Sequence, residues 1–127
     1  MTQRSSETGE QADDRAARSG EGLTFEIRPW ALGTVLVLHG ELDLDSAAEL
    51  RSAVDQALAG PAGVIVIDCA ELEFCDSTGL NALLRAKARA AVEGSRIELA
   101  RPRRLFLRML ELTGVTDAFP VRENVPG

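Results

Sequence analysis

The chain has 127 residues, of which 45% are hydrophobic and 27% charged, and it carries a net charge of −6. Such a length suits one domain with a real core, and the acidic balance argues against a nucleic-acid binder, which needs a basic face. No apolar run approaches the roughly twenty residues that cross a bilayer, and the N-terminus lacks the apolar core of a secretory signal. The expectation is therefore a cytoplasmic protein that engages no membrane and works on another protein.

Residues 1–22 are mostly Ser, Gly, Gln, Glu, Asp and Arg. They bury too little apolar surface to offset ordering entropy and are expected to form a disordered tail. Leu23–Ile27 alternates apolar and polar residues, the pattern of a half-buried strand, with Pro29 expected to end it. Thr34–His39 predicts a second strand. The connection is short enough only for a hairpin, so the two should run antiparallel. After Gly40–Asp43 comes a helix with Ala47, Leu50, Val54 and Leu58 on its inner face. Asp45 or Ser46 is its expected N-cap, and Ser46 with Glu49 has the spacing of a capping box. Gly60-Pro61 stops it.

The run Val64-Ile65-Val66-Ile67-Asp68 reads as a strand buried on both faces. Beyond it, Leu80, Leu83, Leu84, Ala88 and Ala91 recur at helical spacing, predicting a helix over 77–93 with Arg85, Lys87, Arg89 and Glu93 outward. Arg96–Ala100 is a further strand. Pro102 suits the first turn of a last helix, whose buried side is expected at Leu105, Phe106, Met109, Leu110 and Leu112. Phe119-Pro120-Val121 predicts a short edge strand. The order β-β-α-β-α-β-α-β implies a mixed sheet, parallel in its later part, with helices packed mainly on one face.

Between the central strand and its helix stand Asp76, Ser77 and Thr78, residue types that cap helix N-termini. Backbone N–H groups and the helix dipole favour negative charge there, so a hydroxyl at this place can receive a phosphate. Gly40–Asp43 also follows a strand C-terminus, and in open α/β sheets such ends share one surface. Asp43-Leu44-Asp45 after a strand is also similar to the nucleophile motif of aspartyl-phosphate phosphatases, but the chain is too short for the rest of that machinery. The lone His39 leaves Ser77 without an evident base, and no phosphate-binding loop or dinucleotide glycine pattern is present, so no enzyme is expected. Cys69 and Cys75 lack metal-ligand spacing and read as small apolar residues of a core strand. Neither a metal nor a cofactor is expected. Arg101, Arg103, Arg104 and Arg108 form the one basic cluster, a solvated face or a contact for an acidic partner or phosphate.

Asp76-Ser77-Thr78-Gly79-Leu80, preceded by the strand and Phe74-Cys75, resembles the signature of the STAS domain, in particular that of bacterial anti-sigma factor antagonists. Gly40-Glu41-Leu42-Asp43 and the stretch Arg103–Gly114 resemble two further stretches of that family, in the same order. The resemblance implies a STAS-like mixed sheet over 23–122, followed by a short tail at 123–127. It also implies a function: binding an anti-sigma factor of the histidine-kinase-like ATPase type, which phosphorylates Ser77 and is thereby released, while a serine phosphatase restores the unphosphorylated form. Ser77 is then the phosphorylated residue, with Thr78 second. The partner surface would comprise Gly40, Glu41, Asp43, Asp76, Ser77, Thr78, Gly79 and Leu80. The alternative is a STAS-type scaffold module without phosphorylation, such as a lipid-transport accessory subunit; a small nucleotide-binding or phosphoryl-transfer protein ranks third. Oligomeric state is open on the sequence.

Overall fold

A computed structural model describes residues 22–126; the tail expected over 1–22 lies, apart from Gly22, outside the described residues. The chain runs β1 (Leu23–Trp30), β2 (Gly33–Leu42), a 3-10 turn (Leu44–Ser46), α1 (Ala47–Leu58), β3 (Val64–Cys75), α2 (Ser77–Val92), β4 (Arg96–Ala100), α3 (Arg104–Leu112), a second 3-10 turn (Thr116–Ala118) and β5 (Val121–Arg122). The five strands lie side by side in sequence order. β1 pairs antiparallel with β2, and every later pair is parallel, because each of those crossovers carries a helix. Among the described residues no helix is long and apolar enough to cross a membrane.

The helices share one side of the sheet. Leu36, Leu38, Ile65, Ile67, Ile97 and Leu99 meet Leu50, Val54, Leu80, Leu83, Phe106 and Leu110 in one core. Alternate residues of the same strands, Val35, Val64, Val66 and Ala100, form a second, smaller cluster, since successive side chains point to opposite faces. Trp30 and Val125 pack against it. Trp30 donates its Nε1 hydrogen to the Val64 carbonyl at 3.1 Å, and the Arg122 guanidinium lies 5.4 Å above its ring.

Four expectations need correction. Pro29 does not end β1: it pairs with Thr34 and the strand runs on to Trp30. β1 is an edge strand with β2 alone beside it, so a residue lacking an N–H is accommodated. Pro102 is not in the first turn of α3, which begins at Arg104 with Arg103 as N-cap. On α2 the buried residues are Gly79, Leu80, Leu83, Ala86 and Ala90, while Ala88 and Ala91 are exposed. Small residues face inward where the helix must approach α1 and the sheet closely. On α3 only Phe106 and Leu110 are buried; Leu105 and Leu112 are 82% and 72% exposed.

Candidate functional site

β3 is longer than its apolar run. Val64–Asp68 is paired on both sides, by β2 and β4. Beyond Asp68 only β2 accompanies it, through two irregularities in register, until Glu41 faces Phe74 and Leu42 faces Cys75. The two parallel strands therefore end level, and the residues that follow each end are neighbours. Asp76 N–H donates to the Leu42 carbonyl at 3.2 Å, joining the two loops directly.

Each loop is held by its own carboxylate. Asp43 takes the N-cap of the 3-10 turn and its Oδ1 accepts from Ser46 N–H at 3.1 Å. Ser46 Oγ accepts from Asp43 N–H at 3.0 Å and donates to the Glu41 carbonyl at 2.7 Å. The capping box is therefore Asp43 with Ser46, not Ser46 with Glu49. Ser46, at the N-cap of α1, makes no side-chain cap bond to that helix, because its buried hydroxyl is already used to close the loop. Asp76 is the N-cap of α2, with Oδ1 accepting from Gly79 N–H at 2.9 Å and its carbonyl from Leu80 N–H at 2.9 Å.

The eight expected surface residues divide into two groups. Ser77 is exposed at the first position of α2, Asp76 and Thr78 are half-buried beside it, and Glu41 and Asp43 are half-buried across the strand ends. These five are brought to one surface. Gly79 and Leu80 turn inward and are buried, so they position the helix rather than offer contact area. A Cβ on Gly79 would lie 2.4 Å from the Leu42 carbonyl oxygen, which is how closely the first turn of α2 sits on the end of β2. Gly40 has φ 110° and a Cβ there would meet the Gly22 carbonyl at 2.2 Å; its part is to let the chain pass. Two exposed apolar residues border the site without having been expected there: Leu44, in the 3-10 turn, and Phe74, at the end of β3. An apolar residue inside a turn was the available signal for Leu44; the exposure of Phe74 follows from β4 pairing with β3 only as far as Asp68, which the sequence does not carry.

The local field is negative. Burial, then the carboxylates of Asp76 and Asp43, push the Cys75 thiol up to about 12; burial, then Asp68, raises that of Cys69 as well. Both thiols are free and protonated at neutral pH, so neither is a ready nucleophile. The chain's single histidine places its Nε2 3.0 Å from Glu26 on β1 rather than at Ser77. Ser77 thus lies exposed at the positive end of α2, directly after the capping carboxylate of Asp76.

Arg101 forks onto the buried carboxylate of Asp68, Nε to Oδ1 at 3.1 Å and Nη2 to Oδ2 at 2.7 Å, and the bond raises the guanidinium pKa further. Arg103 donates its Nε hydrogen to the Ala70 carbonyl at 2.8 Å. These two cations of the basic cluster brace β3 against the start of α3.

A family profile described as "Mlab, STAS domain" matches residues 31–123. No curated protein matches the chain. Among solved structures, an anti-sigma factor antagonist from Mycobacterium paratuberculosis superposes with a TM-score of 0.72 at 23% identity, over 84% of this chain and 91% of that one. The anti-sigma factor antagonist SpoIIAA in its unphosphorylated form gives 0.65 at 20% identity, over 80% and 90% of the two chains. The phosphorylated form of SpoIIAA, described as a Bacillus cell fate determinant, gives 0.59 at 20% identity, over 80% and 93%. The likeness is one of fold.

Proposed function

The chain belongs to the STAS domain family, and from that premise we propose that it is an anti-sigma factor antagonist whose binding is switched by phosphorylation of Ser77. Unphosphorylated, it would hold an anti-sigma factor of the histidine-kinase-like ATPase type through the surface formed by Glu41, Asp43, Asp76, Ser77 and Thr78. That partner would supply ATP and the base and transfer the phosphoryl group to Ser77. A serine phosphatase would reverse it. The observation that carries the reading is the exposed Ser77 at the capped N-terminus of α2, level with the Asp43 turn. The two SpoIIAA structures, one in each phosphorylation state, support it by fold.

Phosphorylation adds about −1.5 to −2 charges at pH 7 and three acceptor oxygens. At a helix N-terminus that charge gains roughly 0.3–1 kcal/mol from the dipole, so the fold tolerates it. In a docked interface the same group must be desolvated close to two carboxylates. A cost there of about 3–4 kcal/mol weakens binding several hundredfold. Incubation with the anti-sigma kinase and ATP, read by mass spectrometry, should place one phosphate on Ser77 and none on Ser77→Ala. Ser77→Ala should bind like the wild type and Ser77→Asp, which carries a single added charge, more weakly than wild type though less so than the phosphorylated protein, with unchanged circular dichroism in both. Tight binding by Ser77→Asp would end the charge-switch reading. The family description "Mlab, STAS domain" favours one second reading, an interaction module without phosphorylation; a Ser77 left unmodified by the kinase would select it.

A further inference from the structure

Four of the chain's arginines, Arg101, Arg103, Arg104 and Arg108, fall between residues 101 and 108 of a chain whose net charge is −6. Arg101 and Arg103 are engaged with Asp68 and the Ala70 carbonyl, but Arg104 and Arg108 stand exposed one turn apart on α3. Leu105 and Leu112, seven residues apart, share one side of that helix and are 82% and 72% exposed. Leu105 borders a cavity of about 270 Å³ between the end of β3 and the start of α3. Leu72, Phe74, Cys75 and Phe106 supply its apolar wall, with Arg103, Arg104 and Glu73 beside them. Phe74 is itself half exposed. A soluble surface rarely leaves such residues together unless something covers them, and an apolar floor with a charged rim is the anatomy of a protein interface.

We propose that this groove docks an acidic segment of a protein partner carrying one large apolar side chain, which enters the cavity while flanking carboxylates pair with Arg104 and Arg108. Charge selects this occupant. A second copy meeting the same face across a two-fold axis would set arginine against arginine. An anionic bilayer presents a broad surface that cannot fill a concave cavity, and Glu73 and Glu111 stand in its way. An acidic peptide answers both features, the cavity by its apolar side chain and the arginines by charge-assisted hydrogen bonds. Phe74 and Cys75 precede Asp76 directly, so the groove adjoins the Ser77 surface in the chain; docking into it nonetheless requires no phosphorylation and stands independently of that switch.

Nuclear magnetic resonance on the isotope-labelled full chain tests it. The probe is a pool of short peptides with aspartate or glutamate flanking a central leucine, phenylalanine or tryptophan. It should shift the amide signals of Phe74, Cys75, Leu105 and Phe106. Affinity should fall about tenfold in the double variant Arg104→Glu/Arg108→Glu, in Leu105→Ser, and with a pool bearing serine at the centre. These substituted side chains are exposed, so circular dichroism should stay unchanged. Equal shifts from a pool with amides in place of the carboxylates would overturn the proposal, as would the absence of shifts at the groove. Signals that move with phosphatidylserine vesicles instead would assign the face to a membrane. Concentration-dependent shifts without any peptide would assign it to a second copy.

Discussion

Asp76 holds the site together by three separate contacts. Its N–H ties α2 to the end of β2, its carboxylate caps Gly79, and its carbonyl begins the helix ladder. Asp76→Ala should cost about 0.5–2 kcal/mol in urea unfolding, and Asp76→Asn much less, since asparagine caps nearly as well. A loss as large for asparagine as for alanine would show that the charge, not the cap, matters. This cap was legible because Asp-Ser-Thr before an apolar helical pattern has few other uses. Ser46 was not legible in the same way. Its hydroxyl can serve a helix or a strand end, and the nearby Glu41 carbonyl, placed there by the sheet, takes it. Gly79 was readable as part of a motif, but its reason, a carbonyl 2.4 Å from where a Cβ would stand, exists only once β2 and α2 have met.

Among the elements, the helices show where periodicity stops being informative. Leu83 on α2 is fully buried, whereas Leu105 and Leu112 on α3 have the same side chain and lie mostly in water. Leu83→Ala should therefore cost about 2–5 kcal/mol through lost transfer energy and the cavity left behind. Leu105→Ser and Leu112→Ser should each change stability by less than about 0.5 kcal/mol. Urea midpoints of the three variants check the assignment, and a loss of the Leu83 size at Leu105 would place α3 in another orientation. The face of α3 that meets the core is chosen by what Phe106 and Leu110 find above the sheet, and an apolar pattern alone does not carry that choice. The same holds for β3. Its buried half was plain from β-branched residues, while its second half, exposed at Glu71, Glu73 and Phe74, is a strand because β2 runs alongside it.

For the molecule as a whole, the buried thiols set a limit in alkali. The folded Cys75 value, about 12, lies above the free-thiol value of 9.0, so the folded state keeps the proton longer. Below pH 9 the thiol is protonated in both states and its contribution is fully present; as pH rises from there through the folded value, it is lost. One unit above 9 this amounts to about 1.4 kcal/mol for Cys75, with Cys69 acting in the same direction. Unfolding free energy measured in urea should therefore fall between pH 9 and pH 10 and fall less in Cys75→Ala, while holding level between pH 7 and pH 8. An equal fall in wild type and variant would remove the thiol as its cause. A serine hydroxyl keeps its proton throughout this range, so the Ser77 surface should be unaffected by the same titration.

What the amino-acid order determined by itself was local: which stretches are strands and helices, their succession, and the capped serine at the start of α2. These follow from residue chemistry acting within a few positions of itself. The tertiary structure decided what depends on residues far apart in the chain. It aligned the ends of β2 and β3 so that Asp43 and Asp76 share a surface, turned Gly79 and Leu80 inward, and left Leu105, Leu112 and Phe74 uncovered. Burial and register belong to the neighbours a side chain meets, and those neighbours are assigned only when the sheet closes.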